Sequence, residues 1–268
     1  MVKQQTKKDY LWLNIKDLPY FRGLLRAVEA RFYQDYPLEE PVLDLGCGDG
    51  HFVTIAFDQP LDFGLDPWTG PVHQAASRGG YRLVIQGLGD RMPFEDARFA
   101  TVISNSVLEH IPDVDAVVKE TARVLRPGAQ FIFCVPNQNF LDNLSISNFL
   151  DKIGMHWLAN AYRGFFNRIS RHQHCDSPEV WGKRLEEAGF EIVKWWHYFS
   201  PEALATLEWG HYFGFPSLII HFLSGKWLVA PSHWNLVITR AIVQRFYDEN
   251  PIQEHGSYTF YIARKKCA

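Results

Sequence analysis

The chain has 268 residues, 27 basic against 30 acidic, a net charge of −3 and 15% aromatics. A disordered chain is poorer in aromatics and richer in charge. A broad basic field for nucleic acid conflicts with the acidic balance, and four cysteines in a chain of this length do not make a disulfide scaffold.

The polar N-terminus, MVKQQTKKDY, is followed by no apolar run, so no secretory signal is expected. Residues from Asp17 to about Gln34 read as a helix, with Asp17 as its cap, Pro19 in its first turn, and Phe21, Leu24, Leu25, Val28 and Phe32 at helical spacing. The run PVLDLG at 41–46 reads as a buried parallel strand that ends in glycines. A helix over 51–57 follows, then a strand at 61–66, a helix around 72–77, and strands at 81–86 and 99–104. Residues 113–125 read as a helix stopped by Arg126-Pro127-Gly128, and 130–135 as a fifth strand. Residues 138–177 look irregular to helical. Ser177 and Pro178 open a helix that ends at Gly189, and strands are expected at about 190–199 and 257–264.

Seven of the nine tryptophans lie after residue 150. From Phe199 to Thr239 the only charged residues are Glu202, Glu208 and Lys226. This segment reads as mostly helical. Its aromatics are expected to be mainly core, with a subset lining an acceptor pocket or facing a membrane surface. The stretch without Asp, Glu, Lys or Arg, from Trp209 to Gly225, falls short of the ~20 apolar residues of a spanning helix. An interfacial helix is the membrane-related alternative.

Alternating strands and helices define an α/β domain with a parallel sheet, which binds ligands at the carboxyl ends of its strands where the strand order reverses. Asp44-Leu45-Gly46-Cys47-Gly48-Asp49-Gly50 lies at such a strand end. Glycines there let a ligand approach the backbone closely. The spacing fails the G-x-G-x-x-G dinucleotide fingerprint, because Gly50 comes one residue early and His51 holds the expected place. A nicotinamide-dependent oxidoreductase is therefore disfavoured. Asp66 ends the next strand, 20 residues after Gly46, where an acid receives both hydroxyls of a ribose. Together the two features point to an adenosine-containing ligand.

With these residues the chain resembles the class I S-adenosylmethionine-dependent methyltransferases, in particular the broad small-molecule group often called type 11. The resemblance covers about residues 38–136 closely and 174–199 loosely. It rests on Asp44–Gly50, Asp66, Met92-Pro93-Phe94, Val107-Leu108-Glu109-His110 and Leu125-Arg126-Pro127-Gly128. It implies a doubly wound, mostly parallel seven-stranded sheet of Rossmann-like type, with a helical, aromatic-rich C-terminal cap. The implied layout is an N-terminal helical lid (1–36), a cofactor core (37–136), and an acceptor-binding cap with the last two strands (137–268).

The implied cofactor is S-adenosylmethionine, with S-adenosylhomocysteine as product. Asp44, Gly46, Cys47, Gly48, Gly50, Asp66, Pro67, Leu88, Gly89, Asp90 and Asn105 are its expected contacts. Leu88 stands where the family commonly has an acid for the adenine amino group, so Asp90 is the shifted candidate. His110 is the candidate base and acceptor contact, with loop fixing as its structural alternative. His174 is a second acceptor-side candidate. His172, His174 and Cys175 lack the partner spacing of a metal site, and no metal is expected. The expected acceptor is small, partly hydrophobic or lipid-linked. Nucleic acid is not an expected partner, since Ser104-Asn105-Ser106 replaces the (Asn/Asp)-Pro-Pro-aromatic motif. The expected location is cytoplasmic, with peripheral membrane contact through residues 199–239. The alternative is a non-catalytic cofactor-binding or membrane-surface protein.

Overall fold

A computed structural model describes residues 8–214, 218, 219, 222, 223, 225, 227, 228 and 232–267. Part of the charge-poor segment 199–239 and the first seven residues of the expected lid lie outside the described residues.

Two helices open the fold, α1 (Tyr10–Ile15) and α2 (Tyr20–Phe32). The amides of Asp17 and Leu18 both donate to the Asn14 carbonyl, so these residues close α1 instead of starting α2. Asp17 therefore does not cap α2, whose N-cap is Pro19. The Asp17 carboxylate instead lies 3.5 Å from His51 Nε2.

The alternating core follows as β1 (Val42–Leu45), α3 (His51–Ala56), β2 (Leu61–Asp66), α4 (Thr69–Arg78), β3 (Tyr81–Gln86), β4 (Phe99–Asn105), α5 (Val114–Val124) and β5 (Leu125–Pro136). Then come α6 (Asn139–Asp142), α7 (Ser145–Lys152), α8 (His156–Ser170), α9 (Pro178–Glu187), β6 (Phe190–Tyr198), α10 (Pro201–Phe213), α11 (Val237–Tyr247) and β7 (Tyr258–Lys265).

The seven strands form one sheet in the order β3-β2-β1-β4-β5-β7-β6. All neighbouring pairs are parallel except those of β7, which runs antiparallel to both β5 and β6. This is the Rossmann-like methyltransferase sheet. Order reverses between β1 and β4, so a crevice opens at their carboxyl ends.

Side chains alternate across each strand and feed two apolar layers. Ile103, Ile132 and Phe260 join the layer under α1, α2, α3, α10 and α11. Val102, Phe131, Phe133 and Tyr261 join the layer under α5 and α9.

The segment 199–239 departs from the expected mainly core role. Leu204 and Leu207 on α10 are buried, but Trp209, Phe213, Phe222 and Trp234 are exposed. The reason is local. The last turns of α10 carry Trp209, Tyr212 and Phe213 on the side away from the buried Leu204 and Leu207, and a helix packed on one side can bury only one face.

Trp181 on α9 is fully buried against Phe133 and Tyr261, with the Arg184 guanidinium 4.5 Å from its ring centre. Trp181→Ala should lower the unfolding free energy by about 3–5 kcal/mol, read from urea denaturation.

Candidate active site

The crevice holds a cavity of about 860 Å³ walled by the ends of β1, β2 and β4, the loops after them, and α2. The loop after β1 is tied down first. The amides of Gly46 and Cys47 donate to the Leu65 carbonyl at 2.8 and 3.0 Å. Gly46 has φ of +80°, and a Cβ there would lie 2.4 Å from Val107 Cγ1, so sterics and backbone both demand glycine. Where Gly48 would carry a Cβ there is open space.

Asp66 is buried at the tip of β2. Its Oδ2 accepts from the Gly48 amide and its Oδ1 from the Trp68 amide, both at 3.0 Å. Two backbone donors thus fix the carboxylate on the cavity wall, and each oxygen keeps a lone pair for a further donor. Asp44 accepts a 2.6 Å hydrogen bond from the Tyr81 hydroxyl, while burial pushes its carboxyl up to about 7. Burial pushes the Cys47 thiol well above its usual range, which suits an inert wall rather than a nucleophile.

Ten of the eleven expected cofactor contacts lie on this cavity, Gly50 excepted. Gly50 sits at the N-cap of α3, one residue behind the wall. Leu88 and Trp68, both exposed, stand on the wall with Asp90. Asn105 contributes mainly backbone, because its amide is engaged elsewhere. Nδ2 donates to Glu29 at 2.6 Å, and Oδ1 accepts from Cys134 Sγ at 3.0 Å.

Glu29 on α2 escapes a reading of the helix's apolar face. Its carboxylate is fully buried. It accepts from Arg26 Nη1 (2.9 Å), Asn105 Nδ2 (2.6 Å), Ser106 Oγ (3.0 Å) and Tyr198 Oη (3.0 Å). Arg26 Nη1 also donates to the Asn105 carbonyl at 3.2 Å. The signal available in the sequence is the Arg22/Arg26/Glu29 spacing, which puts all three on one side of α2.

A second, smaller cavity of about 160 Å³ adjoins the first. The two share Arg22, Arg26, Ser106 and His110 as walls. His110 Nδ1 lies 3.0 Å from the Arg171 carbonyl. A carbonyl only accepts, so Nδ1 carries the proton and Nε2 keeps a lone pair in the neutral ring. Burial lowers the His110 pKa and so favours that neutral form. His172 shares the small cavity, and burial pulls its imidazole down to about 3.

His174 lines neither cavity. Its Nε2 bonds the Ile111 carbonyl at 3.0 Å, bracing the loop after His110. Among the described residues no group of three or more His, Cys, Asp or Glu is placed to hold a metal ion, and no helix is long and apolar enough to cross a membrane.

Sheet order and crevice define the class I methyltransferase architecture, and comparison with known proteins agrees. The methyltransferase domain family model matches residues 19–195, so the chain belongs to that family. It is 34% identical over 134 residues to sterol 4-C-methyltransferase strm-1 of Caenorhabditis elegans, covering 42% of this chain and 38% of that protein. It is 32% identical over 107 residues to a ubiquinone biosynthesis O-methyltransferase of Pseudomonas putida, covering 37% and 45%. These matches span under half the length of those relatives. The geranyl diphosphate C-methyltransferase of Streptomyces coelicolor, solved with Mg2+, geranyl diphosphate and S-adenosylhomocysteine, shares the fold with a TM-score of 0.55 at 12% identity. That match covers 92% of this chain and 82% of the other.

The buried groups make stability depend on pH. Asp44 and Glu109, raised to about 7 and about 8, hold their protons longer in the folded than in the unfolded chain. Their contribution is complete below the ordinary carboxyl range and is lost as pH rises through those values. His110, His172, His197 and His211 are lowered by burial, so their contribution is lost as pH falls below about 6.5. Between pH 6.5 and 8 only the carboxyl contribution declines. Urea denaturation should show unfolding free energy falling across that window, by at most about 1.4 kcal/mol per pH unit for each group. The fall should be shallower in Asp44→Asn.

Proposed function

We propose that this chain transfers the methyl group of S-adenosylmethionine to a small, partly hydrophobic or lipid-linked acceptor. The observation that carries the reading is the Asp66 carboxylate, fixed by the Gly48 and Trp68 amides beside an open glycine loop. That arrangement fits a ribose whose two hydroxyls donate to one carboxylate.

In this reading Asp66 holds the ribose, and the loop from Gly46 to Gly50 lies along the methionine part, with Asp44 and Cys47 behind it. Pro67 and Trp68 flank one side of the adenine and Leu88 the other. Gly89 and Asp90 offer the polar contact that an acid at the place of Leu88 would make. When bound, the cofactor supplies a methyl group already activated on a sulfonium. The protein then has to bring an acceptor atom in line with it and exclude water.

The shared walls of the two cavities fit that task. Arg26 and Ser106 stand where the cavities meet, and His110 offers Nε2 as a proton acceptor. His174 acts through the loop it braces, as a positioning residue. Residues 37–136 form the cofactor core in this reading. The segment before them forms the lid through α2, and the segment after them forms the acceptor cap.

The names of the sterol and ubiquinone relatives support an apolar acceptor. A second reading is a non-catalytic or membrane-surface protein. It is favoured by one observation, the exposure of Trp209, Phe213, Trp234 and Ile238. In liposome co-sedimentation, strong lipid binding without methyl transfer to any lipid extract would favour it.

Calorimetry with S-adenosylhomocysteine tests the main reading. The protein should bind it, and Asp66→Ala should weaken binding by about 10–100-fold, the worth of hydrogen bonds to a charged group. No binding by the unaltered protein, or equal binding by the variant, would overturn the assignment.

A further inference from the structure

Glu109 is one of the polar residues that line the small cavity. Glu109 is 2% exposed, and its Oε2 has no hydrogen-bond partner. The backbone around it is fixed, because its carbonyl accepts from the amides of Gln173 and His174 at 2.7 and 3.3 Å. Its Oε1 lies 3.7 Å from His110 Nε2, too long for a hydrogen bond. A buried carboxyl oxygen left unpaired is costly.

The walls around it are rings. Phe21, Phe140, His172, His211 and Tyr258 all line the cavity. Phe140 meets His172 edge-on at 4.8 Å and Tyr258 at 5.6 Å, and Phe21 lies 4.7 Å from His211. The cavity has about 160 Å³, enough volume for one benzene ring of about 150 Å³. The chamber therefore has room for a single six-membered ring beside Glu109.

Resting on the methyltransferase reading above, we propose that the small cavity takes a phenolic ring and that for such an acceptor Glu109, in place of His110, is the catalytic residue that receives the proton of its reacting hydroxyl. The phenolic oxygen forms a bond to the methyl carbon as that carbon's bond to sulfur breaks. The electron pair stays on sulfur, which loses its positive charge, and the hydroxyl proton goes to the Glu109 carboxylate. Arg26, on the shared wall, is placed to stabilise negative charge growing on the oxygen.

The proton affinity of Glu109 suits this role. Burial pushes its carboxyl up to about 8, within about two units of a phenol. The groups that face it are Arg26 and Glu29 from α2, His110 beside it, Cys134 from β5, Cys175 after α8, and Tyr258 from β7. Arg26 favours the ionised carboxylate and Glu29 disfavours it. Two further imidazoles line the chamber, His172 and His211, and burial lowers the pKa of both, so they are neutral and add no charge at pH 8.

Phenol and catechol are the probes, with S-adenosylmethionine supplied and methylated products read by mass spectrometry. The unaltered protein should methylate at least one of them, with kcat/KM rising to a plateau above about pH 8. Glu109→Gln should lower kcat/KM at least about 100-fold and abolish that inflection, while S-adenosylhomocysteine affinity stays within about threefold. Glu109→Asp should recover part of the rate together with the inflection. Phe140→Ala, which leaves Glu109 in place, should shift preference toward the two-ring probe 2,3-dihydroxynaphthalene, so the test survives if Glu109→Gln does not fold. A protein that binds S-adenosylhomocysteine but methylates neither probe overturns the proposal. So does a Glu109→Gln variant that keeps both rate and inflection, or a Phe140→Ala variant with unchanged probe preference. A protein that binds no S-adenosylhomocysteine overturns the methyltransferase reading itself.

Discussion

The buried carboxylate of Glu29 fixes how the N-terminal helix meets the sheet. Its four donors come from three separate parts of the fold: Arg26 on its own helix, Asn105 and Ser106 at the end of β4, and Tyr198 at the end of β6. A buried carboxylate stripped of such partners costs several kcal/mol. Helix α2 can therefore dock in one register and at one depth. That placement brings Arg22 and Arg26 between the two cavities and lays Phe21 and Leu25 along the smaller one. The polar interior thus seats α2, and the helix's apolar packing follows from that placement.

Charge is distributed unevenly around the crevice. Asp44 and Asp66 line the larger cavity, where backbone amides and a tyrosine hydroxyl hold their oxygens in place. The smaller cavity pairs a buried carboxyl with neutral imidazoles and ring faces. A ligand with a cationic centre and several hydroxyls suits the first environment. The two chambers meet across a boundary made of only a few side chains, Arg22, Arg26, Ser106 and His110.

The sheet was legible because strands buried on both faces leave largely apolar runs, such as Val42–Leu45, which ends at Gly46, and Phe99–Ser104. The glycine loop and Asp66 were legible because local backbone geometry limits which residues can stand there. Glu29 and the unpaired oxygen of Glu109 were not, since a buried polar group is defined by partners far away in sequence. Asn105 and His174 show the same limit. Both belong to the right loops, yet distant partners, Glu29 for one and the Ile111 carbonyl for the other, decide where their side chains point. The aromatic surplus of 199–239 was visible in composition, but composition does not say which face of a helix finds a neighbour.

Strand β7 has one more implication, for the order of assembly. It comes last among the strands, yet it lies between β5 and β6 and pairs with both along nearly its whole length. Until it is synthesised, β6 has no place in the sheet, and the exposed edge of β5 has no partner. A nascent chain must therefore hold an open strand edge through the synthesis of more than a hundred further residues. The late arrival of β7 thus makes the β5 edge the sheet's point of exposure during synthesis, independent of what the crevice binds.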